Sequence, residues 1–245
     1  MTHKQLIGIL AIAIAGAGFA ARPAQAQLGG GVPDLSEFAG AISASIADGD
    51  APVSKTPGGK FSSGLVVPSV KPGAAAQGIG KQLRDALDKN GKKPENAAIE
   101  TEMPTTLKNI EAGLEKVGFA KRDMGVALGY AFLYNYETAT GKKVPEAASA
   151  TAAKTVAAAF AKHWDAKYKT MKPEAKEKIY ESLLVSTTLF AAFSEQFEKA
   201  GKTQDATSIR KSAGMLFEKL IGVPPAQVTI DDAGKITGLA GGKAQ

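Results

Sequence analysis

The sequence predicts a mostly all-α protein, a multi-helix bundle of about six helices. Apolar residues recur at intervals of three and four through most of the chain after residue 74, and glycine or proline ends most of these segments. In addition, residues 123–140 and 183–193 are apolar on nearly every side. A helix of that kind is buried between other helices, so these two stretches predict the interior rods of the bundle.

The first 26 residues have the pattern of a cleavable signal peptide. The basic residue Lys4 precedes an apolar run over residues 6–20, and residues 24–26 read Ala-Gln-Ala. We expect cleavage after Ala26, which lowers the formal charge from +6 to +4 because two basic residues and no acidic residue are removed. A membrane anchor is the alternative, but the apolar run is short and rich in alanine and glycine. The pattern predicts a periplasmic or secreted protein with no transmembrane segment after cleavage.

Residues 27–73 are interrupted repeatedly by glycine and proline and predict a flexible arm. A short helix is expected near residues 34–47, because Asp34 and Glu37 have the spacing of a capping box. Residues 61–70 are consistent with an extended run over the domain surface and equally with a disordered linker.

Residues 74–239 predict the helical domain, and its first two helices are amphipathic. One extends over residues 74–87 and the next over 103–118, where Pro104 suits a first helical turn. Residues 92–102 are either a loop or an additional turn. The apolar positions that define the two stripes are Ile79, Leu83, Ala86, Leu87, Met103, Leu107, Ile110, Leu114 and Val117.

The helix over residues 123–140 is the predicted centre of the bundle. Asp123 is a favourable N-cap residue, and Gly141 is a favourable residue for the position after the helix. Gly125 and Gly129 lie four residues apart, on one helical face. Small residues at that spacing allow a neighbouring helix to come close.

Three further helices and a small hairpin complete the predicted domain. The helices extend over residues 145–168, 173–200 and 203–220, and short connections make neighbouring helices antiparallel. Residues 227–239 contain two β-prone segments around the turn sequence Asp-Asp-Ala-Gly, which is consistent with a small hairpin. An isolated hairpin is marginally stable unless it packs on the helices. Residues 240–245 form the predicted disordered tail.

Few residues of the chain suggest catalysis or metal binding. After signal cleavage His163 is the only histidine, and the chain has no cysteine, so no metal and no cofactor is predicted. His163 and Asp165 are weak catalytic candidates, with a serine as nucleophile. Successive helical residues point about 100° apart, which does not favour this pair as a dyad. The structural interpretation is that Trp164 packs in the core and His163 lies beside it.

Two pairs of glutamates one helical turn apart are the other catalytic candidates. Glu177 and Glu181 form one pair, and Glu195 and Glu198 form the other. General acid–base catalysis needs carboxylates in a cleft with shifted pKa values. Both pairs lie among lysines, which indicates a solvated helical face instead.

A run of lysines around the turn between the two predicted helices near residue 171 is the main binding candidate. Three acidic residues and the aromatic residues Trp164 and Tyr168 lie among these lysines. Such a cluster attracts anionic partners, although a solvated turn is the simpler interpretation. The weak binding candidates are Lys162, Lys167, Lys169, Lys172, Lys176, Trp164 and Tyr168, with Lys178 in the same run, and also Tyr130, Tyr134 and Tyr136 of the central helix.

Residues 123–136 read Asp-Met-Gly-Val-Ala-Leu-Gly-Tyr-Ala-Phe-Leu-Tyr-Asn-Tyr, and Gly141 follows them. This stretch resembles the signature helix of an uncharacterised family of bacterial exported helical proteins, a domain of unknown function. Residues 173–184 and 220–234 are similar to other parts of that family, so the resemblance covers about residues 65–239.

The sequence departs from the family pattern at two positions. Lys235 stands where the family tends to have an aromatic residue, and no glutamine occurs near Thr151. The resemblance implies a secreted helical fold and no known activity, so it assigns no functional residue.

Together these observations predict an exported, non-catalytic helical domain that binds a protein partner or a cell-envelope surface. The modest positive charge does not indicate nucleic acid binding. The alternative is a cell-envelope hydrolase that uses His163 or a carboxylate pair. The oligomeric state is not indicated by any pattern in the sequence.

Overall fold

The computed structural model describes residues 36–48, 59–89 and 94–239, and within them the predicted helical bundle is confirmed. The signal peptide, its cleavage site and the C-terminal tail lie outside the described residues. The described part contains seven α-helices, a 3₁₀ turn and two short strands. Their bounds are α1 Ser36–Asp48, α2 Ala74–Asp88, α3 Pro94–Lys116, α4 Met124–Thr140, α5 Glu146–Thr170, α6 Pro173–Lys199, α7 Thr203–Ile221, the 3₁₀ turn Pro225–Gln227, β1 Thr229–Ile230 and β2 Ile236–Thr237.

Helix α4 is the centre of the bundle, as the sequence predicts, and packs against α5, α6 and α7. Asp123 precedes it in an extended conformation, and its side chain accepts a hydrogen bond from Val126 N. Gly141 ends the helix with a φ of 71°, a conformation that costs glycine little and other residues more. Both predicted helix ends are therefore confirmed.

The two glycines of α4 allow α5 to approach closely, which confirms the prediction from their spacing. A Cβ atom added at Gly129 would overlap the carbonyl oxygen of Ala153 and lie 3.0 Å from its carbonyl carbon. A Cβ atom added at Gly125 would lie 2.9 Å from the carbonyl oxygen of Ala157. The backbones of the two helices are in contact because α4 has glycine and α5 has alanine at these positions.

Helix α6 is the second interior rod, and its contact with α4 is partly polar. The Tyr130 and Thr188 hydroxyls lie 2.9 Å apart, and Asn135 Nδ2 donates to Thr187 Oγ1 at 3.0 Å. These pairs satisfy polar groups that would otherwise be buried without partners. No helix in the described ranges is both long enough and apolar enough to cross a membrane.

Helix α3 differs from the prediction at both of its ends. It begins at Pro94, so Pro104 lies inside the helix and not in its first turn. The apolar stripe extends back to the buried Ile99, and this packing favours the helix across the proline. The Pro104 side chain lies so close to Gly73 that a Cβ atom there would be 3.1 Å from it. At the other end Val117 is 52% exposed and does not belong to the buried stripe.

The predicted hairpin is confirmed and packs on the helices. Strands β1 and β2 are antiparallel, with Thr229 opposite Thr237 and Ile230 opposite Ile236. Val228 and Ile236 are buried. Their burial gives this two-stranded sheet the tertiary support that an isolated hairpin lacks.

Residues 59–73, which we call the strap, cross the bundle in an extended conformation. Two isolated β-bridges join the strap to the segment before α4, from Phe61 to Phe119 and from Val66 to Asp123. The side chains of Phe61, Leu65 and Val67 are buried. This part of the predicted arm is therefore packed against the helical domain.

Candidate functional site

The candidate site is the surface around the turn between α5 and α6, which we call the basic turn. It carries the six lysines of the predicted cluster, and Lys169 Nζ lies 2.6 Å from the Asp165 carboxylate. Of the described residues, none forms an ion pair with Lys162, Lys172 or Lys178. All three of these lysines are exposed, so their ammonium groups face solvent.

The aromatic residues of the cluster lie beneath this surface and not on it. Trp164 is 1% exposed and Tyr168 is 4% exposed, and their ring centroids are 5.4 Å apart. The Lys176 ammonium lies 4.5 Å from the centroid of the Tyr168 ring, in a cation–π contact. The two rings therefore lie beneath the basic turn, and its exposed part is formed by polar and charged residues that include Lys162, Lys172 and Lys178.

His163 and Asp165 are not brought together. The Asp165 carboxylate is held by Lys169, and the buried Nε2 atom of His163 has no hydrogen-bond partner among the described residues. Burial, and then the nearby Lys162 ammonium, lower the pKa of His163 below its ordinary value of 6.5. His163 is therefore neutral at pH 7 and adds no charge to the basic turn.

The three tyrosines of α4 belong to the core and not to the basic turn. Tyr130 bonds to Thr188, and its ring centroid lies 4.3 Å from that of Tyr134. Burial raises the pKa of Tyr134 to about 12. Tyr136 is 2% exposed, and its hydroxyl interacts with the backbone of Ile230. These contacts show that the three tyrosines, which the sequence offered as binding candidates, pack within the bundle.

Asp123 fixes the first part of the strap while it caps α4. Its carboxylate accepts hydrogen bonds from Ser62 Oγ at 2.6 Å, from Ser63 N at 2.8 Å and from Ser63 Oγ at 2.5 Å. Gly64 N donates to the same carboxylate at 3.3 Å. One buried side chain thus joins the start of the central helix to the strap.

Arg122 and Glu177 fix the second part of the strap. The Arg122 guanidinium donates to the carbonyl oxygens of Val67 and Pro68, and its Nη2 lies 2.6 Å from Glu177 Oε1. Glu177 also accepts hydrogen bonds from Val70 N at 3.1 Å and Lys71 N at 2.6 Å. Arg122 has a φ of 51°, which is uncommon for a residue other than glycine, and its backbone N–H donates to the Tyr180 hydroxyl.

Glu181 holds the end of the strap and caps α2 from another helix. Gly73 N donates to its Oε1 at 2.6 Å, and Ala75 N donates to its Oε2 at 2.9 Å. Ala76 N donates to the same oxygen at 3.3 Å. Because Gly73 has no side chain to cap α2, the Glu181 carboxylate accepts from the N–H groups at the start of that helix.

The prediction that both glutamate pairs lie on a solvated helical face is therefore wrong for Glu177 and Glu181. Glu177 is 3% exposed and Glu181 is 0% exposed, and both face the strap. The reason is that the strap passes over this side of α6 and supplies the backbone donors that a buried carboxylate needs. Glu195 and Glu198 do lie at the surface, where they pair with Lys199 and Arg210.

The environment of Glu177 predicts a specific dependence of stability on pH. Burial disfavours its charged form, but the Lys71 N–H and the Arg122 guanidinium outweigh burial and lower the pKa of Glu177 below 4.5. Its stabilising contribution is therefore complete above pH 4.5 and is lost as the pH falls through the lowered value. Glu177→Gln should reduce the free energy of unfolding by about 2 kcal/mol at pH 7.

That difference between wild type and Glu177→Gln should shrink as the pH falls below about 5 and through the lowered pKa of Glu177, measured by urea unfolding at each pH. Burial and, as the smallest cause, the charge of Glu177 raise the pKa of the neighbouring Glu181. Because the substitution removes only that smallest cause, Glu181 titrates almost alike in the two proteins. Glu195→Gln is the control, because it removes one partner of the surface ion pair with Lys199 on the same helix. It should change the free energy of unfolding little at any of these pH values. A difference that stays constant with pH would contradict the assignment.

The strap adds two exposed apolar residues that the sequence did not single out. Val66 is 68% exposed and Val70 is 40% exposed, while Leu65 and Val67 are buried. The alternation of buried and exposed residues along an extended segment was available as a signal, but only if the segment was known to be extended.

No group of three or more histidine, cysteine, aspartate or glutamate residues suitable for a metal ion occurs in the described part of the chain.

A family model described as a family of unknown function (DUF6683) matches residues 49–236. No curated protein and no solved structure matches the chain. The match confirms the resemblance to an uncharacterised family. Since it covers more than half of the chain, the protein belongs to this family of unknown function (DUF6683).

Proposed function

We propose that the chain is an exported, non-catalytic helical domain whose basic turn binds an anionic surface of the cell envelope. The observation that carries this proposal is the presence of six lysines on the two helix ends around one turn, where two of the three neighbouring carboxylates already have partners. Asp165 is paired with Lys169, and Glu177 is buried against Arg122. The exposed ammonium groups of Lys162, Lys172 and Lys178 are available to an anionic partner.

The charge of this segment supports the proposal. Residues 162–178 contain six lysines and three acidic residues, so their formal net charge is 6 − 3 = +3. The carboxylate of Glu177 points to the strap, and Arg122 compensates it. The exposed surface of residues 162–178 is thus more basic than their formal net charge of +3 indicates. A lysine close to an anionic surface contributes about 1 kcal/mol to binding.

The signal-peptide pattern supports the exported location, with Gln27 as the first residue after cleavage. The surroundings of the candidate catalytic groups support a non-catalytic role. Glu177 and Glu181 accept hydrogen bonds from the strap backbone, and His163 is not joined to Asp165. The hydrolase alternative would require these side chains to exchange their present contacts for a substrate.

Fractionation of cells that express the full chain tests the proposal. We expect the protein in the envelope fraction at an ionic strength of about 0.1 M and in the soluble wash at about 1 M, because the Debye length shortens from about 10 Å to about 3 Å. Mass spectrometry of the same fraction should identify Gln27 as the N-terminal residue. Replacing Lys162, Lys172 and Lys178 with glutamine should weaken retention by roughly fivefold per lysine.

The control replaces Lys108, Lys211 and Lys219, which are exposed on α3 and α7, with glutamine. It removes the same total charge and should leave retention within about twofold of the wild type. Equal losses in both triple variants would show that net charge is responsible and not the basic turn. A wild-type protein that is soluble at low ionic strength would overturn the proposal.

A further inference from the structure

We propose that the anionic surface bound by the basic turn is a lipid bilayer, and that Val66 and Val70 of the strap insert into it. This inference rests on the proposed function and specifies the class of its partner. It follows from the position of two exposed apolar side chains beside the lysines.

The strap places these valines next to the basic turn. The Tyr168 hydroxyl donates to the Val66 carbonyl oxygen at 2.7 Å, and the Lys176 ammonium lies over the ring of the same tyrosine. Val70 N donates to Glu177, which lies in the first turns of α6. The strap thus contacts the last turn of α5 and the first turns of α6, which are the two helix ends joined by the basic turn.

The backbone that carries the two valines is also held in position. The Val66 carbonyl oxygen accepts from Tyr168, Val70 N donates to Glu177, and between them Val67 N donates to the carbonyl oxygen of Arg122 at 2.8 Å. Apolar side chains on a held backbone lose less conformational entropy on insertion than those of a loop that is not held. A mobile loop would have to be ordered first.

An isolated exposed valine is ordinary on a protein surface. What distinguishes this surface is the combination of two exposed valines with Lys71, which follows Val70 in the chain, and with Lys176, which lies over the tyrosine that binds the Val66 carbonyl oxygen. A bilayer with anionic headgroups offers a partner to both kinds of side chain, since its headgroups attract ammonium groups and its acyl region takes up apolar groups. A hydrated anionic polymer of the cell wall offers a partner to the lysines only.

A polarity-sensitive fluorophore at the strap tests insertion directly. The chain has no cysteine, so Val66→Cys creates a single labelling site. The full chain is purified from cells that express it and mixed with vesicles of neutral lipid containing about one-third anionic lipid. We expect a blue shift of the emission and a gain in intensity on binding. Met215→Cys, which labels an equally accessible position on α7, should show neither change.

The double variant Val66→Ser and Val70→Ser separates insertion from charge attraction. It should bind the same vesicles roughly tenfold more weakly than the wild type, because two buried isopropyl groups are lost. Its binding to a phosphate-bearing polymer fixed on beads should equal that of the wild type. Thermal unfolding of the variant should match the wild type, since both valines are exposed.

The outcomes distinguish this inference from the proposed function. Binding to the polymer but not to vesicles would overturn the lipid inference and leave the proposed function intact. Equal vesicle binding by the wild type and the valine variant, or an unchanged emission at position 66, would also overturn insertion. Vesicle binding weakened roughly fivefold per lysine in the variant with Lys162, Lys172 and Lys178 replaced by glutamine, together with a blue shift at position 66, is the result we expect.

Discussion

Glu181→Ala should reduce the free energy of unfolding by about 4 kcal/mol. The substitution leaves three backbone N–H groups, those of Gly73, Ala75 and Ala76, without their acceptor. A buried donor without a partner costs about 1–3 kcal/mol, and water entering the space left by the side chain recovers part of the sum. Loss of a charged group at the start of α2 removes a further favourable interaction with that helix.

Urea unfolding followed by circular dichroism gives the free energy, and hydrogen exchange reports the local effect. The amides of Gly73, Ala75 and Ala76 should exchange faster in the variant than in the wild type. Glu181→Gln keeps the shape and one acceptor oxygen, so its loss should be about half as large. Glu195→Ala on the same helix should cost less than about 0.5 kcal/mol. A cost below about 1 kcal/mol for Glu181→Ala would contradict this role.

Gly129→Ala should reduce the free energy of unfolding by about 3 kcal/mol. The added Cβ atom would overlap the carbonyl group of Ala153, and a backbone group cannot rotate away as a side chain can. Helices α4 and α5 must therefore move apart along their contact, which loosens the packing around both. Alanine in place of glycine would otherwise favour a helix by about 1 kcal/mol, so the expected loss is the net value after that gain.

Gly113→Ala in α3 is the matched control, because a Cβ atom at that position would meet no other atom within 4 Å. It should increase the free energy of unfolding by about 0.5–1 kcal/mol. Thermal unfolding of the two variants should therefore shift in opposite directions, by about 6–12 °C downward for Gly129→Ala. A stabilising effect at both positions would show that α5 does not approach α4 as closely as described.

The elements that could be predicted from the sequence are those fixed by local chemistry. Asp123 and Gly141 mark the ends of α4 because capping depends on residues a few positions apart. The apolar character of α6 on all sides identifies it as an interior helix without knowledge of its neighbours. Trp164 could be assigned to the core for the same reason, since it lies in the apolar stripe of α5.

The contacts of Glu177 and Glu181 could not be predicted, because the backbone N–H groups that donate to them lie 105–108 residues away in the sequence. On a helical wheel both look like charged residues of an exposed face. Only the course of the strap buries them, and the strap itself has no periodic pattern long enough to indicate its path. The exposed position of Val66 escaped prediction for the same reason, since it depends on which side of the strap faces the bundle.

The cap that Glu181 supplies to α2 has a consequence for the order of assembly. Ribosomes extend a chain at about 5–20 residues per second, so residue 181 is added about 5–20 s after residues 73–76. During that interval the start of α2 has no acceptor from α6, and the strap lacks Glu177 as well. The strap and the start of α2 therefore acquire these acceptors only after α6 has been synthesised, and until then their backbone N–H groups remain available to the cellular factors that handle unfinished proteins.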